Sequence, residues 1–299
     1  MSLLEFQDKF PEEKNCIDYL VKMRWPNGIK CQICNGEKFD FMKTRRVFEC
    51  RKCRKQVYIT AGTIFHKSRI PLRKWFWMIF LMATSKKGVS MLYMQKQLGI
   101  RSYRTAWLMG HKIRFAMQER NNLYELSGTV EVDEIFIGGK QTLEKAREIG
   151  NNKTPFLISV EENQDGSPSF LSFEELENLC EEHIIPAIKK EIKSGSTIKS
   201  DGRKTYHKVT KEGYEHEPLI AMKNPQQAHE HLKWINLITS NLKRYLLSTH
   251  HGVFPKYRKV FLAEFAYRFN RRYWRYQAFD RLLYACINTH SMPLPVLRA

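Results

Sequence analysis

Two pairs of cysteines constrain the fold of this 299-residue chain more than any other feature. Cys31 and Cys34 form one Cys-x-x-Cys pair, Cys50 and Cys53 form the second, and 15 residues separate the pairs. Each pair can bring two thiolates into one tight turn, and two such turns complete a tetrahedral site, so the spacing predicts a structural Zn²⁺ in a zinc ribbon. Such an ion would stabilise a segment too small to have its own core. Unrelated cysteines are the alternative, and a redox pair is disfavoured because there are two pairs.

The charge of the chain predicts its class of partner. Its 50 Lys and Arg against 31 Asp and Glu give a formal net charge of +19, and an excess of this size indicates a polyanion such as nucleic acid. The densest apolar run, residues 75–83, is about half of the roughly 20 residues that a membrane-spanning helix needs. The N-terminus lacks a signal-peptide pattern. We therefore expect no membrane span and an intracellular protein, whose cysteines are metal ligands rather than disulfides.

The residues that follow the ribbon read as helical. Pro71 marks a helix start, Ser90 and Ser102 can cap two further helices, and Gly99 makes the turn between these two. A short helix, a turn with glycine and a longer helix are typical of a helix-turn-helix motif. An ordinary three-helix bundle with solvated basic residues is the alternative. The basic residues that could contact DNA here are Arg101, Arg104, Lys112 and Arg114.

An acidic strand begins the second half of the chain. Apolar and acidic residues alternate from Val130 to Ile137, and two glycines then end the strand. Asp133 lies inside this run, where an isolated carboxylate is costly unless it is paired or holds a metal. Glu131 would share a face with Asp133, and Glu134 would point the other way. An edge strand with a solvated acidic face is the alternative.

Two later segments carry further candidate residues. A short strand over residues 196–202 ends in Asp201 and a glycine, as strands at metal-dependent sites often do, although a simple Asp-Gly turn is the alternative. Residues 226–247 are predicted to be helical, with Asn236 and Lys243 on one side because seven residues return a side chain to the same side.

Three more segments are assigned by their patterns alone. Residues 156–160 are a predicted strand. Residues 173–192 are a predicted helix in which Cys180 is a buried thiol. Residues 254–290 are predicted to form one or two long helices. Within residues 241–276, nine Lys or Arg residues and a single acid are interleaved with tyrosines and a tryptophan, which suits contact with nucleic-acid backbone and bases. A basic helix face with an aromatic core side is the alternative.

With these motifs in this order, the chain resembles zinc-ribbon insertion-sequence transposases of the DDE type, the bacterial fifteen-ninety-five family related to the eukaryotic Merlin elements. The resemblance covers nearly the whole chain and includes the ribbon cysteines and the acidic strand. Its most specific motifs are residues 238–243, 249–253 and 264–272.

The resemblance implies an α+β and α/β architecture in three parts. The N-terminal helix and zinc ribbon would occupy residues 1–62, and a helix-turn-helix DNA-binding region residues 63–125. An RNase H-like catalytic domain, a mixed sheet flanked by helices, would occupy residues 126–299 and end in basic helices.

The resemblance also implies a catalytic site. Asp133 matches the first acid and Asp201 the second. The third position in the family is Glu, Asn or His, seven residues before a Lys, so Lys243 identifies it as Asn236. These three residues would bind Mg²⁺ or Mn²⁺, which prefer oxygen ligands. Glu230 is the next candidate for the third ligand, and Glu131 and Glu134 rank below Asp133.

This chain departs from the common pattern in two places. Asn236 replaces the more usual Glu, so its amide oxygen would bring no charge to the metal. Ser248 stands where a Gly is usual.

The partners implied are double-stranded DNA, namely the terminal inverted repeats of the element and the target, and a second copy of the chain in a homo-oligomeric synaptic complex. The location implied is the bacterial cytoplasm, in association with the nucleoid. A non-catalytic DNA-binding protein derived from a transposase and another RNase H-like nuclease, such as a junction resolvase, are the alternatives. The residues expected to contact DNA are Lys243, Arg244, Arg268, Arg271, Arg272 and Arg104.

The net charge of +19 generates a first prediction. Binding to duplex DNA should weaken steeply with salt, because each neutralised phosphate adds roughly −0.9 to the slope of log affinity against log salt. Fluorescence anisotropy between low and moderate salt measures this slope. A nearly flat response would contradict the nucleic-acid interpretation of the charge.

Overall fold

The computed structural model describes residues 1–42, 45, 47–138, 153–219, 230–290 and 292. The second glycine of the acidic strand, Gly139, and the start of the predicted helix at residue 226 lie outside these residues. The chain divides into two compact units, one formed by Met1–Ala116 with Trp274–Ala299, and the other by Met117–Tyr273. Within the described ranges, no helix is both long enough and apolar enough to span a bilayer.

The first unit begins with two short helices, α1 (Leu3–Lys9) and α2 (Glu13–Arg24). A capping box starts α1, in which Ser2 Oγ accepts the Glu5 N–H at 3.3 Å and the Glu5 carboxylate accepts the Ser2 N–H at 2.7 Å. The ribbon follows as an antiparallel sheet in the order β1-β2-β3. Its strands are β1 (Phe39–Met42), β2 (Val47–Cys50) and β3 (Gln56–Tyr58).

The predicted three-helix segment is confirmed as α3 (Leu72–Thr84), α4 (Met91–Gln97) and α5 (Tyr103–Asn121). Pro71 is the N-cap of α3, and the Ser90 hydroxyl accepts the Tyr93 N–H at the start of α4. Gly99 adopts a φ of 55° between α4 and α5, a left-handed value that glycine tolerates.

Close packing explains a second glycine in this segment and corrects one expectation. A Cβ on Gly110 of α5 would lie 2.2 Å from Met91 Sδ, so the absent side chain lets α4 approach α5.

Arg114 is only 1% exposed, which removes it from any DNA-contacting surface, and Lys112 donates to the Ile64 carbonyl at 3.2 Å.

The core of the first unit is aromatic, and it includes the C-terminal helix α9 (Ala278–Ile287). Phe279 of α9 lies 5.2 Å from Phe6 and 5.5 Å from Phe76, measured between ring centroids. Next to it, the Tyr19 hydroxyl donates to Asp280 at 2.6 Å. Chain segments more than 260 residues apart in sequence thus share one core.

The second unit is built on a five-stranded mixed sheet in the order β6-β5-β4-β7-β8. The first three strands pair antiparallel, whereas β7 and β8 run parallel to β4. This arrangement confirms the predicted mixed sheet and is consistent with an RNase H-like domain. The strands are β4 (Thr129–Gly138), β5 (Lys153–Glu162), β6 (Pro168–Glu175), β7 (Thr197–Asp201) and β8 (Glu215–Leu219).

Helices cover both faces of this sheet. On one face, Val130 and Val132 of β4 pack with Ile184 and Ile188 of α6 (Glu181–Glu191). The other face is covered by α7 (Lys233–His250) and α8 (Arg258–Asn270). There, the next apolar residues of β4, Ile135 and Ile137, pack with residues of both helices, namely Ile235, Ile238 and Leu242 of α7 and Leu262 and Ala266 of α8. Short 3-10 helices span Lys204–Glu212, Pro255–Tyr257 and Arg275–Gln277.

The structure corrects the predicted helix over residues 173–192. Its first part is strand, because β6 continues to Glu175 and pairs with β5, with Phe173 opposite Ile158. The helix begins only at Glu181, and Cys180, predicted to be buried, is exposed. The sequence patterns also missed β8, whose proline, Pro218, is tolerated on an edge strand.

Candidate metal centres and catalytic site

The four ribbon cysteines come together as predicted. Their sulfur atoms all lie within 4.8 Å of one another. Cys31 and Cys53 are 3.4 Å apart at Sγ, and Cys34 and Cys50 are 3.5 Å apart. A tetrahedral zinc ion about 2.3 Å from each sulfur would set these separations at about 3.8 Å. None of the four forms a disulfide, so the donor set and its spacing fit one zinc ion.

Both knuckles use the same backbone pattern. In each knuckle, the N–H of the first cysteine donates to the carbonyl of the residue five positions later. The carbonyl of the same cysteine accepts the N–H of the residue four positions later. These four bonds are each 2.9 Å long and join Cys31 with Asn35 and Gly36, and Cys50 with Arg54 and Lys55. A left-handed residue, with φ of 52° at Asn35 and 61° at Arg54, closes each turn. Position 36 is a glycine, and a Cβ placed there would lie 3.2 Å from Cys50 Sγ.

Backbone dipoles favour thiolates at this site. The N–H groups of Cys34 and Ile33 lower the pKa of Cys31 to about 6. The Lys55 N–H also acts to lower the pKa of Cys53, but the adjacent sulfurs raise that pKa to about 12. Four sulfurs this close cannot all ionise without a cation between them, and thiolates are the form that binds metal.

The two candidate aspartates lie on adjacent parallel strands. Glu131 of β4 is opposite Lys199 of β7, and the same register extended by two residues would bring Asp133 level with Asp201. Neighbouring strands are about 4.8 Å apart, and residues two apart share a face. Asp133 and Asp201 therefore share one face of the sheet, at the carboxyl end of β7.

The electrostatics of this pair are unfavourable for two bare carboxylates. Burial raises the pKa of Asp133 to about 6, and the negative charges of Glu134 and Asp201 act in the same direction. The Glu134 N–H donates to Asp133 Oδ1 at 2.8 Å. Arg203 supplies positive charge, with Nε 3.4 Å from Asp201 Oδ2 and Nη1 2.9 Å from Glu134 Oε2. A cation near Asp133 and Asp201 would relieve the repulsion between them.

Glu131 and Glu134, which ranked below Asp133 as ligands, are engaged elsewhere. The side chain of Glu134 is 1% exposed and accepts the Tyr206 hydroxyl at 2.9 Å on the opposite face of the sheet. Glu131 accepts the N–H groups of Trp234 and Ile235 at 3.3 and 2.8 Å. Burial raises the pKa of Glu131 to about 7, although these two N–H groups act to lower it. The role of Glu131 was missed because its partners lie 103 and 104 residues away in sequence.

Asn236 lies on the first turn of α7, the helix that covers the Asp133 face of the sheet. Its side chain is exposed, as is Lys243 two turns later. Glu230, the alternative third ligand, is also exposed and precedes α7. Among the described Cys, His, Asp and Glu residues, only the four cysteines gather three or more ligand atoms within 4.8 Å.

The basic residues predicted to contact DNA fall into two groups. Arg104, Lys243 and Arg244 are exposed. Arg271, by contrast, is 8% exposed, stacks 3.7 Å from the centre of the Tyr267 ring and donates to Asn121. This burial argues against the DNA contact predicted for Arg271.

The two arginines beside it also contact the protein. Arg272 donates to the carbonyls of Ser169 and Phe269 at 2.9 and 2.8 Å, which ties the end of α8 to β6. The side chain of Arg268 is 11% exposed and lies 3.8 Å from Glu264. Their contact with DNA stays a prediction.

Comparison with known proteins agrees with these features. Residues 125–270 match the ISXO2-like transposase domain, and residues 11–56 match the transposase zinc-ribbon domain. A curated relative from Halobacterium salinarum, named as an uncharacterized protein in transposable element ISH50, is 27% identical over 131 residues. The aligned part covers 43% of this chain and 43% of that relative, so the chain spans less than half of the relative's length.

The cysteine cluster generates a second prediction. Elemental analysis of the purified protein should find about one zinc per chain. Cys31→Ser combined with Cys50→Ser removes one thiolate from each knuckle and should reduce the zinc content to near zero. Cys180→Ser is the matched control, because Cys180 is an exposed cysteine outside the cluster, and it should leave the zinc content unchanged. Unchanged zinc in the double variant would show that the assignment is wrong.

Proposed function

Because the chain belongs, by both of its matched domains, to the IS1595 family of transposases, we propose that it binds the ends of an insertion element, cuts the DNA there and joins it to a target. The observation that supports catalysis best is the parallel pairing of β4 with β7, in which Glu131 lies opposite Lys199. Continued by two residues, this register would bring Asp133 level with Asp201 on the face covered by the helix of Asn236. The substrate is double-stranded DNA, and we infer that two or more copies of the chain hold the element ends together.

The donor set fits Mg²⁺ or Mn²⁺. Asp133 and Asp201 offer carboxylate oxygens and Asn236 an amide oxygen, and these hard ligands suit both cations. The repulsion between the partly buried acids also favours a bound cation. When bound by these three residues, such ions would activate the attacking oxygen and stabilise the leaving oxygen.

Both chemical steps are substitutions at phosphorus. In the first, a water oxygen forms a bond to the phosphorus at the element end, the bond to the 3′ oxygen breaks, and a free 3′-hydroxyl remains. In the second, that 3′ oxygen attacks a phosphorus of the target, and the target's own 3′ oxygen leaves. Each step exchanges one phosphorus–oxygen bond for another, so no covalent link to the protein is needed.

The residues around the acids would orient the DNA. Lys243 lies two turns after Asn236 on the same side of α7 and is exposed, so its ammonium can hold a phosphate near the acids. Arg244 of α7 and Arg104 of the first unit are exposed cations that suit further phosphates of the bound DNA.

A second candidate function is DNA binding without catalysis, by a protein derived from a transposase. The neutral Asn236 favours it, because a third carboxylate would bind a cation more strongly. Cation-dependent nicking of DNA that carries the element ends separates the two functions. Strand joining, in addition to cutting, separates a transposase from a junction resolvase.

A third prediction tests the two aspartates. Asp133→Ala and Asp201→Ala should each reduce cleavage and strand transfer at least about 1000-fold, the scale seen when a catalytic group is removed. Binding of the element ends should stay near that of the parent, or tighten, because one negative charge near the phosphates is lost. Asp165→Ala is the matched control, since Asp165 lies in the exposed β5–β6 turn of the same unit. If Asp133→Ala cleaves like the parent, the catalytic interpretation is wrong.

A fourth prediction tests the third ligand. Asn236→Ala should slow cleavage less than the aspartate variants, because Asn236 supplies only a neutral oxygen. Asn236→Asp keeps an oxygen ligand and adds charge, so part of the activity should survive. Gel assays of cleavage at several Mn²⁺ concentrations measure both variants. Parental cleavage by Asn236→Ala would mean that another residue is the third ligand, and Glu230→Ala would then be the variant to measure.

A further inference from the structure

Glu131 is a buried carboxylate that the proposed chemistry does not use. It is 1% exposed and lies two residues before Asp133 on β4. Its Oε2 accepts the Ile235 N–H at 2.8 Å, and its Oε1 accepts the Trp234 N–H at 3.3 Å. Both oxygens therefore face the protein backbone, which distinguishes Glu131 from a residue that could contact DNA.

The two N–H groups belong to the first turn of α7. The first N–H groups of a helix have no partner within the helix and need one from outside. The N-cap residue of α7 is Leu232, whose side chain cannot accept a hydrogen bond. Glu131 fills this role from a distant strand, and its position at the positive end of the helix is electrostatically favourable.

This pair of hydrogen bonds links two candidate ligands. Asp133 follows Glu131 by two residues on the same face of the strand, and Asn236 directly follows Ile235 on the helix. The apolar contacts of Ile235 and Ile238 with the sheet are non-directional, so they would tolerate a shift or rotation of α7. Two hydrogen bonds to one carboxylate would not tolerate it, because hydrogen bonds weaken steeply when they lose alignment.

We propose that Glu131 is a positioning residue that fixes the start of α7 on β4, and thereby sets the distance between Asp133 and Asn236 that the catalytic cation requires. The inference rests on the proposed function, because it assumes that these two residues share a cation. Metal sites depend on such outer contacts, whose loss typically lowers metal affinity about 10- to 100-fold.

The test compares Glu131→Ala with Glu131→Gln in the full-length protein. Alanine removes both acceptors, whereas glutamine keeps the shape and one carbonyl oxygen for the Ile235 N–H. Electron paramagnetic resonance measures the binding of Mn²⁺ directly, and hydrogen exchange reports on the Trp234 and Ile235 amides. Glu131→Ala should expose both amides to exchange and weaken Mn²⁺ binding about 10- to 100-fold, and Glu131→Gln should recover part of that affinity. Zinc content and end binding should match the parent in both variants.

A matched control separates positioning from the general loss of a strand carboxylate. Glu161 lies on the neighbouring strand β5, and its carboxylate accepts a backbone N–H from Ser127 at 2.8 Å. Glu161 pairs with Val130, which faces α6, so Glu161→Ala removes the same kind of bond on the face of the sheet away from α7. It should leave Mn²⁺ affinity at the parental value, and a loss equal to that of Glu131→Ala would overturn the specific role of Glu131.

Two further outcomes would overturn the proposal. One is fast exchange of the Trp234 and Ile235 amides in Glu131→Ala with parental Mn²⁺ affinity. The other concerns the case in which Glu131→Ala fails to fold, so that Glu131→Gln decides instead. The proposal is then overturned if Glu131→Gln folds, its Trp234 amide exchanges faster than in the parent, and its Mn²⁺ affinity is nevertheless parental. Asp133→Ala, measured in parallel, separates this inference from the proposed function. If Asp133→Ala cleaves DNA, the proposed function fails. If Asp133→Ala is inactive and Glu131→Ala binds Mn²⁺ with parental affinity, only the positioning role is overturned.

Discussion

The parallel pairing of β4 with β7 is the constraint on which the second unit depends. Parallel neighbours cannot be joined by a tight hairpin, and here β5, β6 and α6 lie between them in the chain. The pairing brings the segment of Asp133 beside the carboxyl end of β7, where Asp201 lies. A slip of one residue would turn every side chain of β4 to the other face of the sheet. Asp133 would then face α6 and the apolar core, with no second acid beside it.

The features predicted correctly from the sequence are those fixed by neighbouring residues. The knuckle spacing determines where the four sulfurs lie, because each turn closes through bonds between residues four and five apart. The starts of α3 and α4 follow from Pro71 and Ser90 in the same way. The alternation in β4 also predicted correctly that Glu131 and Glu134 point to opposite faces, since period two is a local property of a strand.

The features that were missed depend on partners far away in the chain. Phe173 has the apolar spacing of a helix with its neighbours, but pairing with Ile158 makes it part of β6. The role of Arg271 is likewise set by the Tyr267 ring and by Asn121, 150 residues earlier, which a count of basic residues does not reveal. Glu131 gave a signal, since an acid within an apolar strand must find a partner, but the sequence alone did not identify that partner as the start of α7.

The three acids of β4 show why a basic protein would still need a cation at this site. Glu131 is bonded to two backbone N–H groups, and Glu134 is bonded to Tyr206 and Arg203. Asp133 lies between them and accepts the Glu134 N–H, while the charges of Glu134 and Asp201 act against its ionised form. The net charge of +19 would attract DNA to the molecule as a whole, but a phosphate that approaches two carboxylates would meet local repulsion over a few ångströms. A divalent cation held by those carboxylates would reverse the sign of that local interaction, so the same acids that would repel the DNA backbone could then bind it.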